Sequence, residues 1–126
     1  PRGRSEALRG ALMNKIEGII RPEKLNNVTN ALAEVGLVGL NVVHVTGRGT
    51  QRGVTMGGPR GTGRYVVDML PKVKLELVVH DENTQKAVDT IVEHSRTGEI
   101  GDGKIFVSPV ANAIRVRTGE QGEGAL

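Results

Sequence analysis

Apolar and polar residues alternate over 14–20, where Ile16, Gly18 and Ile20 face one way and Lys15 and Glu17 the other, which predicts a strand. Arg21-Pro22-Glu23 then signals a helix start, because proline suits the first helical position and glutamate the positive end of the helix dipole. Leu25, Val28, Leu32 and Val35 follow at helical spacing, and Gly36 is a natural stop. A second strand is predicted over 40–46. A third, over 72–79, has Val73, Leu75, Leu77 and Val79 alternating with Lys72, Lys74, Glu76 and Val78. Asp81 is placed to cap a second helix, with Ala87, Val88, Ile91 and Val92 on one side and Gly98 as its end. A fourth strand over 104–107 and a short extended piece over 114–117 complete the pattern.

The order β-α-β-β-α-β predicts an α+β fold of the ferredoxin-like kind. That architecture hosts many chemistries and does not by itself name one. The connection between the second and third strands breaks the economy of the rest. Residues 47–64, GRGTQRGVTMGGPRGTGR, hold seven glycines, one proline, four arginines and no acid. Hairpin connections usually take about two to five residues, so this segment reads as a flexible functional arm that rearranges when a ligand or partner binds.

Composition narrows the function classes. The chain has 126 residues and 13.4 kDa, one ordinary domain, with 37% hydrophobic residues, no Trp, one Tyr (Tyr65) and one Phe (Phe106). So few aromatic anchors leave a small core, and self-association is the expected way to hide more surface. A net charge of +3 with a pI near 9.6 is mildly basic. Nucleic-acid binding would pair a basic face with stacking aromatics, and the aromatics are missing. The absence of Cys removes disulfides, thiolate metal sites and cysteine nucleophiles, and suits a reducing cytoplasm. No apolar run approaches the ~18 residues of a membrane span. Residues 1–12, polar and Arg-rich ahead of Met13, read as an extension or a cloning remnant, and 13–126 as the folded domain. His44, His80 and His94 are scattered, and neither a metal-ligand spacing nor a catalytic dyad or triad presents itself.

Three segments suit phosphate. GRGTQRG (47–53) follows a strand and lets backbone amides crowd an anion. TGEIGDGK (97–104) combines three glycines with a terminal lysine, a nest with a point charge. In RVRTGE (115–120), two arginines two apart on a strand would share a side and could clamp a polyphosphate. Singly, each has a plain alternative: a loose loop, a helix stop with a hairpin turn, and a solvated basic edge.

Together they are more specific. TGEIGDGKIFV (97–107), IRVRTGE (114–120) and GRGTQRG (47–53) resemble signature stretches of the PII nitrogen-signalling proteins, as do IEGIIRPEKL (16–25), ALAEVGLVGLNV (31–42) and YVVDMLPKVKLELVV (65–79). The resemblance runs from Met13 to the end and is broken only in the long loop. It implies a homotrimer of ferredoxin-like subunits, with ATP or ADP competing for a site in each cleft between neighbours. With Mg²⁺ and ATP bound, 2-oxoglutarate would join, and the long loop (the T-loop, 47–64) would dock on or leave a target. The implied function is a non-enzymatic sensor of nitrogen, carbon and energy status. It would be cytoplasmic, and recruited to the membrane where the target is an ammonium transporter.

Carried over by position, the resemblance implies that Lys104, Arg115 and Arg117 hold phosphates above the turn of Gly101, Asp102 and Gly103. Gly47, Gly49 and Gly53 would lie at the loop base, and Glu76 and Val78 beside adenine and ribose. Gln51 would ligate Mg²⁺ and face 2-oxoglutarate, whose distal carboxylate would pair with Lys72. Tyr65 falls where many relatives carry a uridylylated tyrosine, which makes it the candidate for modification. Arg60 and Arg64 are the candidates for target contact. The loop core departs from the family pattern: MGGPRGTGRY (56–65) is longer, carries Arg64 in place of an acid, and follows Thr50 where the family often has Arg. That departure implies, as an alternative, a divergent branch that regulates nitrogenase or another enzyme of nitrogen metabolism and senses mainly the ATP/ADP ratio. Two other classes compete with the sensor, a nucleotide hydrolase of the same fold and a nucleic-acid-binding domain. The first lacks a water-activating group near the phosphate segments, and the second leaves TGEIGDGKIF unexplained.

Overall fold

The computed structural model describes residues 8–48 and 69–126. Strand β1 (Met13–Ile20) leads through a 3-10 turn (Pro22–Lys24) into helix α1 (Leu25–Glu34), then β2 (Asn41–Gly47). After residues 49–68 come β3 (Leu70–His80), a second 3-10 turn (Asp81–Asn83), α2 (Thr84–Ser95), β4 (Gly103–Pro109) and a third 3-10 turn (Gly122–Ala125). The four strands form one antiparallel sheet in the order β2-β3-β1-β4. This is the α+β, ferredoxin-like arrangement expected from the β-α-β-β-α-β order.

Period-two patterning sets which face each strand buries. Ile16 and Ile20 of β1 and Val73, Leu75, Leu77 and Val79 of β3 point toward the helices. Val28 and Leu32 of α1 and Ala87 and Ile91 of α2 close over them. Each Val, Leu or Ile side chain so taken from water stabilises by roughly 1.5–3 kcal/mol. Gly18 faces α2: a Cβ there would sit in ordinary contact, 3.6 Å from the Ile91 side chain. No helix among the described residues covers the opposite face. On it, Lys15, Glu17, Lys74 and Glu76 form a square of ion pairs, 3.3 to 3.6 Å each, in which every cation touches both anions. Phe106, the one phenylalanine, lies beside this square opposite Glu17 and is exposed rather than in the core. No helix among the described residues is long and apolar enough to cross a membrane.

Three sequence expectations need correction. Asp81 does not cap α2: the residue at that position is Asn83, with no side-chain cap bond, while the Asp81 carboxylate accepts from the buried Asn14 amide at 3.0 Å. The second helix stops at Ser95, whose hydroxyl donates to the Ile91 carbonyl, and does not run to Gly98. The piece over 114–117 is not a strand. Ile114 makes a single bridge to Gln121, and the segment between folds back with Gly119 N–H donating to the Arg115 carbonyl at 2.7 Å.

Candidate anion-binding site

The segment after α2 is organised around one carboxylate. Arg96 leaves the helix in extended conformation, and Gly98, Gly101 and Gly103 each take positive φ, which bends the chain back toward the sheet. Asp102 accepts from the Thr97 and Gly98 backbone N–H groups, both at 2.8 Å, and from the Thr97 hydroxyl at 2.5 Å. Arg21, at the end of β1, adds a charge-assisted bond from Nε at 3.0 Å. The Thr97 hydroxyl above all, helped by these N–H groups and the guanidinium, holds the Asp102 carboxyl far below the usual carboxylate range despite its partial burial. Its charge is therefore fixed and already matched.

Arg21 and one further cation, Lys72, grip the backbone of the same turn. Arg21 Nη2 donates to the Ile100 carbonyl at 2.9 Å, and Lys72 Nζ to the Gly101 carbonyl at 2.5 Å. Lys72 stands at the start of β3, near the root of the long loop. Gly47, paired with Leu70 at that root, has its Cβ position 3.7 Å from the Lys72 side chain. The structure thus gathers Gly47, Lys72, Gly101, Asp102 and Gly103 at one end of the sheet. Lys104 follows on β4 opposite Ile19, exposed on the helix-free face, with no ion pair among the described residues.

Other predicted site residues lie elsewhere or are otherwise engaged. Glu76 belongs to the ion-pair square, where Lys74 first and Lys15 next hold its carboxyl below the usual range. Val78 sits half-buried one step along β3, on the same face. Arg115 is occupied within the tail, donating to Glu120 at 3.3 Å and to the Leu126 carbonyl at 3.1 Å. Arg117 is exposed in the turn over 116–118 and has no bond to the 97–104 segment. The two arginines therefore do not project from one side of a strand. Gly49, Gln51, Gly53, Arg60, Arg64 and Tyr65 lie outside the described residues.

Sequence reading missed Arg21, which registers there only as part of a helix start. Its partners, Ile100 and Asp102, are distant in the chain, so no local pattern announces the contact. The residues present do fit an anionic ligand. Among the described residues Lys104 and Arg117 have no ion pair, the glycines let backbone approach closely, and the half-buried acid of the turn, Asp102, is neutralised by its own donors. No group of three or more acidic or histidine side chains that could hold a metal occurs among the described residues.

Comparison with known proteins bears on the family and the fold. A family model described as nitrogen regulatory protein P-II matches residues 13–120. The nitrogen regulatory protein P-II of Cereibacter sphaeroides is 55% identical over 114 residues, spanning 90% of this chain and 100% of that protein. The nitrogen regulatory protein P-II 1 of Escherichia coli (strain K12) is 53% identical over the same length and shares of the two chains. Among solved structures, Arabidopsis thaliana PII bound to citrate matches with a TM-score of 0.75 at 39% identity, covering 94% of this chain and 93% of that one.

Proposed function

The chain belongs to the nitrogen regulatory protein P-II family, and from that premise we propose that it reports nitrogen, carbon and energy status by binding ATP or ADP at clefts between subunits. Family members are trimeric regulatory signalling proteins that bind nucleotide effectors and act on target proteins; they are not enzymes. In this reading the 97–104 turn with Lys104 receives phosphates from one subunit. Arg115 and Arg117, which do not reach that turn within their own subunit, serve a neighbour's. Magnesium bound with ATP would bridge the nucleotide and 2-oxoglutarate, with Gln51 as its protein ligand and Lys72 pairing the far carboxylate. Glu76 and Val78 would flank adenine and ribose.

The observation that carries the proposal is the bond from Lys72 to the Gly101 carbonyl. It ties the strand that leaves the long loop to the glycine turn, so charge arriving at the turn is felt at the loop root. The loop, through Arg60 and Arg64, then docks on or leaves a target, of which an ammonium transporter is the leading candidate. The cytoplasm, with recruitment to the membrane by such a transporter, is the corresponding location. Residues 1–12 fall outside the functional domain in this reading. The glycine- and arginine-rich string 56–65 favours a second reading, in which the target is nitrogenase or another enzyme and the ATP/ADP ratio is the main input.

The test is titration of 2-oxoglutarate into the purified protein with Mg-ATP, with ADP, and with ATP plus a chelator. Binding with Mg-ATP alone is expected. Equal binding in all three rejects the metal bridge, and no binding in any leaves the adenylate reading in its place.

A further inference from the structure

We propose that Arg21 is a positioning residue which, together with Lys72, aims two backbone amides of the glycine turn at the bound anion. The inference rests on the anion-binding reading of that turn given above. Its geometry is particular. Arg21 Nη2 holds the Ile100 carbonyl and Lys72 Nζ holds the Gly101 carbonyl, so two successive peptide units are gripped by their oxygens. The described chain has no cis peptide bonds, and in a planar trans unit the N–H points opposite to the C=O. Gripping the Ile100 carbonyl therefore turns the Gly101 N–H away from Arg21. Gripping the Gly101 carbonyl likewise turns the Asp102 N–H away from Lys72.

Both N–H groups lack an acceptor among the described residues, as does that of Ile100 just before them. The donors before Ile100 are spent: Thr97 and Gly98 N–H on the Asp102 carboxylate, and Glu99 N–H on the Thr97 hydroxyl at 3.1 Å. Gly101 and Asp102 N–H donate to no other described residue. Unpaired amides in succession at a positive-φ glycine make a concave donor site for an anion. Arg21 is held in place for this task by its second bond, to Asp102, whose own position is fixed by Thr97 and Gly98. The guanidinium thus works from behind the turn. It touches carbonyl and carboxylate oxygens, not the ligand, and a lysine lacks the planar fork that places Nε and Nη2 on two separate acceptors.

Ligand-free Arg21→Met should show altered amide chemical shifts confined to residues 97–103, and calorimetry should find ATP bound about tenfold more weakly, the loss of one charge-assisted bond. Arg21→Lys should recover part of both. Parental ATP affinity in Arg21→Met overturns the assignment, and so does a shift pattern spread across the sheet with a lowered Tm, which marks a merely structural arginine. If the parent itself binds no nucleotide, the functional reading above falls. The amide shifts then still decide this one, because an unperturbed turn in Arg21→Met removes the positioning role.

Discussion

Replacing Gly103 by alanine tests whether the glycine turn is built for the sheet or only for a ligand. An ideal Cβ at Gly103 falls 1.7 Å from the Ile19 carbonyl oxygen, 2.9 Å from its carbon and 3.3 Å from Ile20 Cα, with φ at +108. All three are backbone atoms of β1, the strand that β4 pairs with at Ile20↔Gly103 and Ile19↔Lys104. No side chain can swing aside, so the strands must part. The positive φ contributes roughly 1–2 kcal/mol for a residue with a Cβ, and loss of one or two ladder bonds about 1 kcal/mol each. A total of roughly 2–4 kcal/mol is a large part of the ~5–15 kcal/mol that holds a small domain, and corresponds to a Tm lower by about 10–20 °C. Gly98 supplies the control. It has φ at +90 but nothing within 4 Å of its Cβ position, so Gly98→Ala should show the conformational part alone. Thermal melts of the two variants, read beside the parent, separate close approach from backbone conformation. Equal melting temperatures in the two would refute the steric argument.

Asp102→Asn should destabilise at neutral pH, because an amide replaces a carboxylate that collects donors from Thr97, Gly98 and Arg21. A carboxyl whose folded pKa is depressed contributes fully above its ordinary value near 4 and loses that contribution as pH falls toward the folded value. The Tm gap between parent and variant should thus be constant from pH 7 to about 5 and close on acidification below about 4; a gap that widens on acidification contradicts the assignment. Lys104→Ala and Arg117→Ala should each weaken ATP by about one to two decades while leaving the melting temperature near the parent's, since neither side chain has a partner in the described fold. Calorimetry showing parental affinity in both would remove them from the phosphate site.

The sheet was legible because one face of each central strand is buried. Alternation at Ile16, Gly18 and Ile20, and at Val73 through Val79, has no other simple cause, and the observed strands extend those predictions by a residue or two. What misled was local chemistry with a distant competitor. Asp81 has the chemistry of a helix cap, yet the chain first makes a 3-10 turn over Asp81–Asn83, which moves the cap position of α2 to Asn83, and the Asp81 carboxylate accepts from the buried amide of Asn14. The alternation Arg115-Val116-Arg117 looks like an edge strand. Asn112 overrides it, its side-chain oxygen accepting from Ala113 and Gly122 N–H at 2.9 and 3.1 Å and pinning both ends of a local loop. At the site, the glycines and Lys104 announce themselves by composition. Arg21 does not, because its function exists only once β1 and the turn after α2 have met.

That meeting also dictates when the molecule can take shape. β1 lies inside the sheet, between β3 and β4, so the earliest of these four strands to leave the ribosome is flanked by the last two: Met13 sits opposite His80, and Asn14 opposite Pro109. Until those late segments exist, β1 can offer only an apolar row with open backbone on both edges. Such pairing across long stretches of chain is slow to form, and the waiting strand is exposed to wrong partners. The β2–β3 hairpin depends on this far less, since its strands are neighbours in sequence, and a longer connection between them adds only slowly to the entropy of closure. Changes in the length of the arm over 47–64 therefore leave the order of assembly untouched, and evolution can retune that arm without reopening the problem of how the sheet closes.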